Sequence, residues 1–100
     1  MEVIINRQSE KTLVVLKGRI DTTNADQFQQ ELSPVMEGDK PDIDIDCTDL
    51  EYTSSQGLRS FLILQKSVNA RGGQLVLRNM NPMVKEVFDI TGFSNIITIL

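Results

Sequence analysis

The sequence contains no histidine, no tryptophan and a single cysteine among its 100 residues. The absence of histidine removes the usual general base of serine and cysteine hydrolases. One cysteine cannot form an internal disulfide, nor can it supply the ligands of a thiolate zinc site. Most familiar catalytic and metal-binding chemistries are therefore excluded, and we predict neither a cofactor nor a metal.

Basic residues are also few, ten Lys and Arg against fourteen Asp and Glu, which gives a formal net charge of -4. Nucleic acids and anionic membranes are bound mainly through clustered Lys and Arg, and here the basic residues are scattered. No apolar run approaches the roughly 18 residues of a membrane-spanning helix, and the start of the chain lacks the features of a signal peptide. We therefore expect a cytoplasmic protein with no direct nucleic-acid partner and no membrane insertion.

The chain has no repeat and no linker, so we expect one domain over residues 1–100. Runs rich in β-branched and aliphatic residues predict five strands, over 3–7, 12–17, 42–47, 74–78 and 96–100. The first two are expected to form an antiparallel hairpin, with Gly18 ending the second. Apolar residues at helical spacing predict three amphipathic helices, over 25–35, 54–70 and 82–91.

Alternation of strands and helices after the hairpin requires parallel pairing through right-handed crossovers. In the strand over 42–47, Asp alternates with Ile and Cys, which indicates that one sheet face is in water. We predict a two-layer α/β sandwich, with a mixed and mostly parallel sheet and helices mainly on one face. The aspartates have the spacing of a calcium loop, but Cys47 replaces its glycine and Thr53 its glutamate, so we predict a solvated strand face.

The segment Tyr52 to Arg59 contains three successive hydroxyl side chains where a strand meets the second predicted helix, those of Thr53, Ser54 and Ser55. Thr53 and Gln56 have the spacing of a capping box, which accounts for one hydroxyl. The carboxyl end of a parallel strand is also where open α/β sheets usually present functional groups. Because no base is available to activate a serine, we predict a serine that accepts a group, and not an enzyme.

Ser55 is the candidate acceptor. Phosphate on the first turn of a helix lies near free N–H groups and the positive end of the helix dipole, so modification need not unfold the domain. Arg59 and Ile63 follow Ser55 by one and two helical turns and form a stripe with it. This stripe suits a partner-binding surface, although a single exposed isoleucine is also common on protein surfaces.

Several segments, in this order along the chain, resemble the STAS family, which includes bacterial anti-sigma factor antagonists. They are Gly18 to Asp21, Asp49-Leu50, Ser54 to Arg59, Gly72-Gly73 and Pro82 to Gly92, and together they extend over nearly the whole chain. The resemblance places Ser55 at the position that is phosphorylated in such antagonists. It also agrees with the order of strands and helices predicted above.

The resemblance implies a partner-switching cycle that regulates transcription indirectly. The unmodified protein binds an anti-sigma factor that is itself an ATP-dependent serine kinase, and the sigma factor is released. Phosphorylation of Ser55 ends the binding, and a serine phosphatase restores it. The partner-binding residues expected around Ser55 are Asp21, Thr22, Thr53, Ser54, Gln56, Gly57, Arg59 and Ile63.

Two positions depart from the usual family pattern. Ser54 stands where aspartate is usual, and Gln56 stands where a second hydroxyl is usual. These departures leave an alternative open, a constitutive STAS adaptor or scaffold subunit of a transport or signalling complex that is not phosphorylated.

Overall fold

A computed structural model describes all residues, 1–100. The strands are β1 (Glu2–Arg7), β2 (Thr12–Ile20), β3 (Asp42–Thr53), β4 (Gln74–Arg78) and β5 (Thr98–Ile99). The helices are α1 (Ala25–Leu32), between β2 and β3, α2 (Ser55–Ala70), between β3 and β4, and α3 (Pro82–Ile90), between β4 and β5. Single 3-10 turns over Ser33–Met36 and Phe93–Asn95 follow α1 and α3. None of the helices combines the length and the apolarity that crossing a bilayer requires.

The five strands form one sheet in the order β1-β2-β3-β4-β5. β1 and β2 are antiparallel, and every other neighbouring pair is parallel. Because the strand order never reverses, right-handed crossovers place all three helices on the same face of the sheet. The predicted two-layer α/β sandwich with a mixed, mostly parallel sheet is confirmed.

A single hydrophobic core lies between the sheet and the helices. Each helix contributes one fully buried phenylalanine to it, Phe28 from α1, Phe61 from α2 and Phe88 from α3. The Phe61 ring packs edge to face against both others, with centroid distances of 5.0 Å to Phe28 and 5.5 Å to Phe88. The central helix α2 is thus joined to both of its neighbours.

The alternation in the first half of β3 is confirmed. Ile43, Ile45 and Cys47 are fully buried, while the aspartates between them lie on the open face of the sheet. On that face Asp44 accepts from Arg78 Nε at 3.0 Å and from Lys11 Nζ at 3.4 Å. Burial raises the pKa of the Cys47 thiol to about 12, so this thiol is a poor nucleophile.

Gly18 does not end β2, contrary to the prediction. The strand continues to Ile20, and its register with β3 shifts between Gly18 and Arg19. Gly18 has a φ of +102°, a conformation that glycine adopts without strain, so the strand passes through an irregularity where we expected it to stop. β3 is correspondingly longer than predicted, and its last residue, Thr53, pairs with Ile20.

The chain departs from the predicted boundaries by more than one residue at two further places. α1 ends at Leu32, and Pro34 lies in the 3-10 turn that follows, because proline supplies no N–H to an α-helical bond. β5 contains only Thr98 and Ile99 of the five predicted residues, since a 3-10 turn ends just before it, at Asn95.

Candidate functional site

The corner between β3 and α2 consists of Thr53, Ser54 and Ser55. Thr53 ends the strand, Ser54 occupies the N-cap position, and Ser55 is the first residue of the helix. The Ser54 N–H donates to the carbonyl of Ile20 at 2.8 Å, which ties the corner to the end of β2. Two neighbouring strands therefore fix the position of the three hydroxyls.

Ser54 caps α2, and the predicted capping box of Thr53 and Gln56 is wrong. Ser54 Oγ accepts a hydrogen bond from the Gly57 N–H at 3.2 Å, as an N-cap side chain does. Thr53 is still paired with β2 and is only 3 % exposed, and its hydroxyl donates to the Ser54 carbonyl at 3.3 Å. Thr53 and Ser54 therefore stabilise the corner, and neither hydroxyl is free.

Ser55 is the one hydroxyl of the corner that is exposed and makes no hydrogen bond with the protein. The N–H groups of Ser55 and Gln56, in the first turn of α2, also have no acceptor in the protein. The positive end of the helix dipole lies at the same place. A negative group on Ser55 would therefore meet unused donors and break no existing hydrogen bond.

Gly57 allows α2 to approach β2 and β3 closely. A Cβ atom at this position would lie 2.3 Å from Thr53 Oγ1 and 2.8 Å from Ile20 Cγ2, and both of these residues are buried. Gly57 is itself buried, so it shapes the corner and presents no side chain at the surface.

We expect Gly57→Ala to destabilise the domain by about 1–3 kcal/mol, because the added methyl group overpacks a region that cannot expand. Helix propensity alone favours alanine over glycine by about 1 kcal/mol. This gain is opposite in sign to the cost of overpacking and offsets part of it. Urea denaturation followed by circular dichroism measures the outcome. A variant more stable than the wild type would contradict the close approach of α2 to Thr53 and Ile20.

The loop between β2 and α1 begins next to the corner, because Asp21 follows Ile20. The Asp21 carboxylate accepts from the hydroxyl and from the N–H of Thr23, and these bonds lower the pKa of Asp21. Asn24 precedes α1 but does not cap it with its side chain, which bonds the Asp21 N–H and the Arg19 carbonyl, both at 2.9 Å. Asp21 thus orders the loop, and Thr22 is exposed on it.

On one side of the corner, Gln56, Arg59 and Ile63 line a groove of about 270 Å³ between α1 and α2. Ile63 is 40 % exposed, and Arg59 forms no ion pair within the protein. The structure therefore brings together these three residues that the sequence suggested. The opposite side of the groove is lined by Asp26 and Gln29 of α1. Sequence analysis missed these two residues because the spacing within α1 does not show which of its residues lie next to α2.

On the other side of the corner, a mainly apolar cavity of about 150 Å³ lies between the end of β3 and α3. Its lining includes Tyr52 and Thr53 of β3 and Met83 and Val87 of α3, and Met83 is 70 % exposed. The Arg19 guanidinium lies 4.4 Å from the centroid of the Tyr52 ring, within range of a cation–π contact. Sequence analysis assigned this cavity no role. The one signal that could have indicated it is Met83, an apolar residue of α3 that does not face the core.

The arrangement as a whole presents an exposed hydroxyl between two grooves. It contains a free hydroxyl and unpaired N–H donors, and the two grooves differ in polarity. No group of three or more His, Cys, Asp or Glu side chains is placed to hold a metal ion. This geometry is suited to contact with another macromolecule.

Comparison with known proteins gives consistent results. The model of the STAS domain family matches residues 2–100. The anti-sigma-B factor antagonist of Bacillus subtilis is 35% identical over 94 residues, which are 93% of this chain and 85% of that protein. The structures of the anti-sigma factor antagonist SpoIIAA, both at 20% identity, superpose with TM-scores of 0.81 for the unphosphorylated form and 0.75 for the phosphorylated form. These superpositions cover 99% of this chain, with 88% and 91% of the respective SpoIIAA chains. Because the family model extends over almost every residue and the fold agrees, the chain belongs to the STAS domain family.

Proposed function

We propose that the protein is an anti-sigma factor antagonist that binds an anti-sigma factor when unmodified and is released when Ser55 is phosphorylated. The similarity to the Bacillus subtilis antagonist over most of both chains supports the regulatory role. The observation that carries the switch is the free, exposed hydroxyl of Ser55 at the first position of α2.

The surface proposed to bind the anti-sigma factor surrounds Ser55. The side chains of Gln56, Arg59 and Ile63 are presented to a partner on one side of Ser55, and Thr22 is exposed on the loop that begins next to the corner. The remaining residues of the predicted site act indirectly, because they hold the corner and its loop in place. They are Asp21, Thr53, Ser54 and Gly57.

Phosphorylation changes the charge of this surface more than its fold. A phosphate adds about -1.5 to -2 charges at neutral pH. In the free protein it would lie beside the unused N–H groups of Ser55 and Gln56 and one helical turn from Arg59, so the domain tolerates it. In the complex the phosphate would be desolvated against the partner, and an unmatched interfacial charge costs several kcal/mol. Affinity is lost while the fold is kept.

The protein takes part in this cycle as a substrate and a ligand. The chain contains no histidine, and a serine without a base is a weak nucleophile, so the acceptor requires an enzyme supplied by another protein. In the proposed cycle the anti-sigma factor is a serine kinase that uses ATP, and a serine phosphatase removes the phosphate. The effect on transcription is indirect, through release of the sigma factor.

The direct test is phosphorylation with the candidate anti-sigma kinase and ATP, followed by site mapping with mass spectrometry. We expect one phosphate, on Ser55, and none on Ser55→Ala, which should still bind the kinase with an affinity close to that of the wild type. Modification of Ser54 or Thr53 would place the acceptor elsewhere. Stable complexes without any modification would instead support the constitutive adaptor.

Ser54→Asp provides a matched variant for the same experiment. Aspartate is an N-cap residue as good as serine, so the helix start is retained while the residue usual in the family is restored. We expect phosphorylation of Ser55 in this variant at a rate equal to or higher than in the wild type. A complete loss of modification would show that the kinase requires Ser54 itself.

A further inference from the structure

The outer edge of β1 is open. Its six residues pair with β2 without interruption, and no strand lies on its other side. Ile4 and Ile5, at the middle of β1, are 41 % and 38 % exposed. The strand contains no proline, bulge or lysine, and its charged residues, Glu2 and Arg7, lie at its two ends. The middle of the strand therefore lacks the usual features that prevent an edge strand from pairing with another chain.

The hydrogen bonds to β2 determine which peptide groups point outward. The Gln8 N–H donates to the Lys11 carbonyl at 2.8 Å, directly beyond the last ladder pair, Arg7 with Thr12. Hydrogen-bonded pairs alternate along an antiparallel ladder, so Asn6, Ile4 and Glu2 also bond β2. The N–H and C=O groups of the intervening residues, Val3, Ile5 and Arg7, therefore face the open edge.

We propose that β1 pairs antiparallel with β1 of a second copy of this chain, about a twofold axis at Ile4. Two strands can bond only where outward-facing residues lie opposite each other, so the axis must pass through a residue. With the axis at Ile4, Val3 lies opposite Ile5 of the second copy, and the two Ile4 side chains meet in the close, non-hydrogen-bonded pair. The dimer contains one continuous ten-stranded sheet.

The side chains favour this axis. Val3 and Ile5 lie on the helix-bearing face, beside Leu16 and Val14 of β2, so every central cross-strand pair is aliphatic. An axis at Ile5 would instead place Val3 opposite Arg7 and Ile4 opposite Asn6, and the aliphatic pairs would be lost. Self-pairing about Ile4 therefore covers the apolar part of the edge most completely.

Charge complementarity supports the same arrangement. Pairing about Ile4 brings Arg7 of the second copy opposite Met1, on the helix-bearing face. Met1 borders a small cavity of about 40 Å³ between β1 and α1, whose lining includes Val3 and Gln27. The one charged side chain in that lining is Glu31, so the cavity offers a carboxylate to the incoming guanidinium, beside the Met1 amino group.

Sedimentation equilibrium over a range of protein concentrations tests the proposal. We expect the wild type to dimerise and Ile4→Lys to raise the dissociation constant at least tenfold, because two ammonium groups would face each other at the axis. Ile90→Lys, the same change of an exposed isoleucine on α3, should dimerise like the wild type. A wild type that remains monomeric at every concentration, or an equal effect of both variants, would overturn the proposal.

Oxidative cross-linking tests the position of the axis. The two Ile4 Cα atoms would lie about 4.5 Å apart, within the range that a disulfide bridges. Ile4→Cys should therefore form a covalent dimer, whereas Ile5→Cys, which faces Val3, should not, and the buried Cys47 does not compete. Cross-linking through Ile5→Cys alone would overturn the axis at Ile4.

Ile5→Pro separates dimerisation from folding. The Ile5 N–H faces the open edge, so proline removes one hydrogen bond per copy, two in the dimer, and none of the bonds to β2. We expect this variant to keep the wild-type circular dichroism spectrum and to dimerise at least tenfold more weakly. A folded Ile5→Pro variant with wild-type dimerisation would contradict the proposed edge contact.

Discussion

The Ser55→Asp variant is expected to bind the anti-sigma factor about a hundredfold more weakly than the unmodified protein. A carboxylate at the first position of α2 places a negative charge at the centre of the proposed partner surface. Desolvating an unmatched charge at an interface costs several kcal/mol, and every 1.4 kcal/mol is a factor of about ten in affinity. Isothermal titration calorimetry with the purified anti-sigma factor measures this difference directly.

Ser9→Asp is the matched control for this experiment. Ser9 is exposed in the turn between β1 and β2, at the end of the sheet opposite the corner. Because both variants replace serine with aspartate, they have the same net charge. We expect Ser9→Asp to bind like the wild type and both variants to retain the wild-type circular dichroism spectrum. If Ser55→Asp also binds like the wild type, the charge switch is wrong even though the family assignment stands.

Ser55→Ala completes the comparison, because it removes the hydroxyl without adding charge. The hydroxyl forms no hydrogen bond within the protein, so neither stability nor partner binding should change by more than about 0.5 kcal/mol, as for other surface substitutions. The contrast between alanine and aspartate at one position separates the effect of charge from that of side-chain loss.

The order of strands and helices was predictable from the sequence because its signals are local. Alternation of Asp with Ile shows within six residues which face of β3 is buried, and β4 has the predicted bounds, Gln74–Arg78. Asn81, directly before Pro82, caps α3, since its side chain accepts from the Val84 N–H at 2.8 Å. In each case the residues that determine the structure are close together in the chain.

The errors at the corner have a non-local origin. The spacing of Thr53 and Gln56 predicts a helix cap at Thr53, but the pairing of Thr53 with Ile20 extends β3 by six residues beyond Cys47. The register that gives this pairing includes two shifts, between Val15 and Lys17 and between Gly18 and Arg19, and Gly18 lies 35 residues earlier in the chain than Thr53. The cap is displaced by one residue, to Ser54, and only the strand pairing determines this shift.

The two grooves beside Ser55 could not have been derived from the sequence for a similar reason. Each groove lies between elements that are distant in the chain, α1 and α2 in one case and β3 and α3 in the other. The stripe of Ser55, Arg59 and Ile63 was visible from helical spacing, but its facing residue Asp26 becomes a neighbour only after α1 packs on α2. Sequence spacing therefore describes the candidate acceptor more fully than the surface around it.

Phe61→Ala is expected to destabilise the domain by about 3–5 kcal/mol, the cost typical of removing a buried phenylalanine. The fully buried ring of Phe61 packs edge to face on Phe28 and on Phe88, so its loss leaves a cavity where all three helices meet. Each lost aromatic pair adds about 0.5–1.5 kcal/mol beyond the buried area. In a domain of this size, 3 kcal/mol lowers the melting temperature by more than about 10 °C, which differential scanning calorimetry measures.

Two further variants show whether this loss reflects packing between the helices. Phe61→Leu fills most of the cavity and should recover more than half of the free energy lost in Phe61→Ala, while Ile90→Ala, on the exposed face of α3, should change stability by no more than about 0.5 kcal/mol. Phe61 lies in the same helix as Ser55, the first residue of α2. We expect the Phe61 substitutions to reduce partner binding only in proportion to the fraction of protein that is unfolded. Weaker binding by fully folded Phe61→Leu would show that core packing also positions the corner.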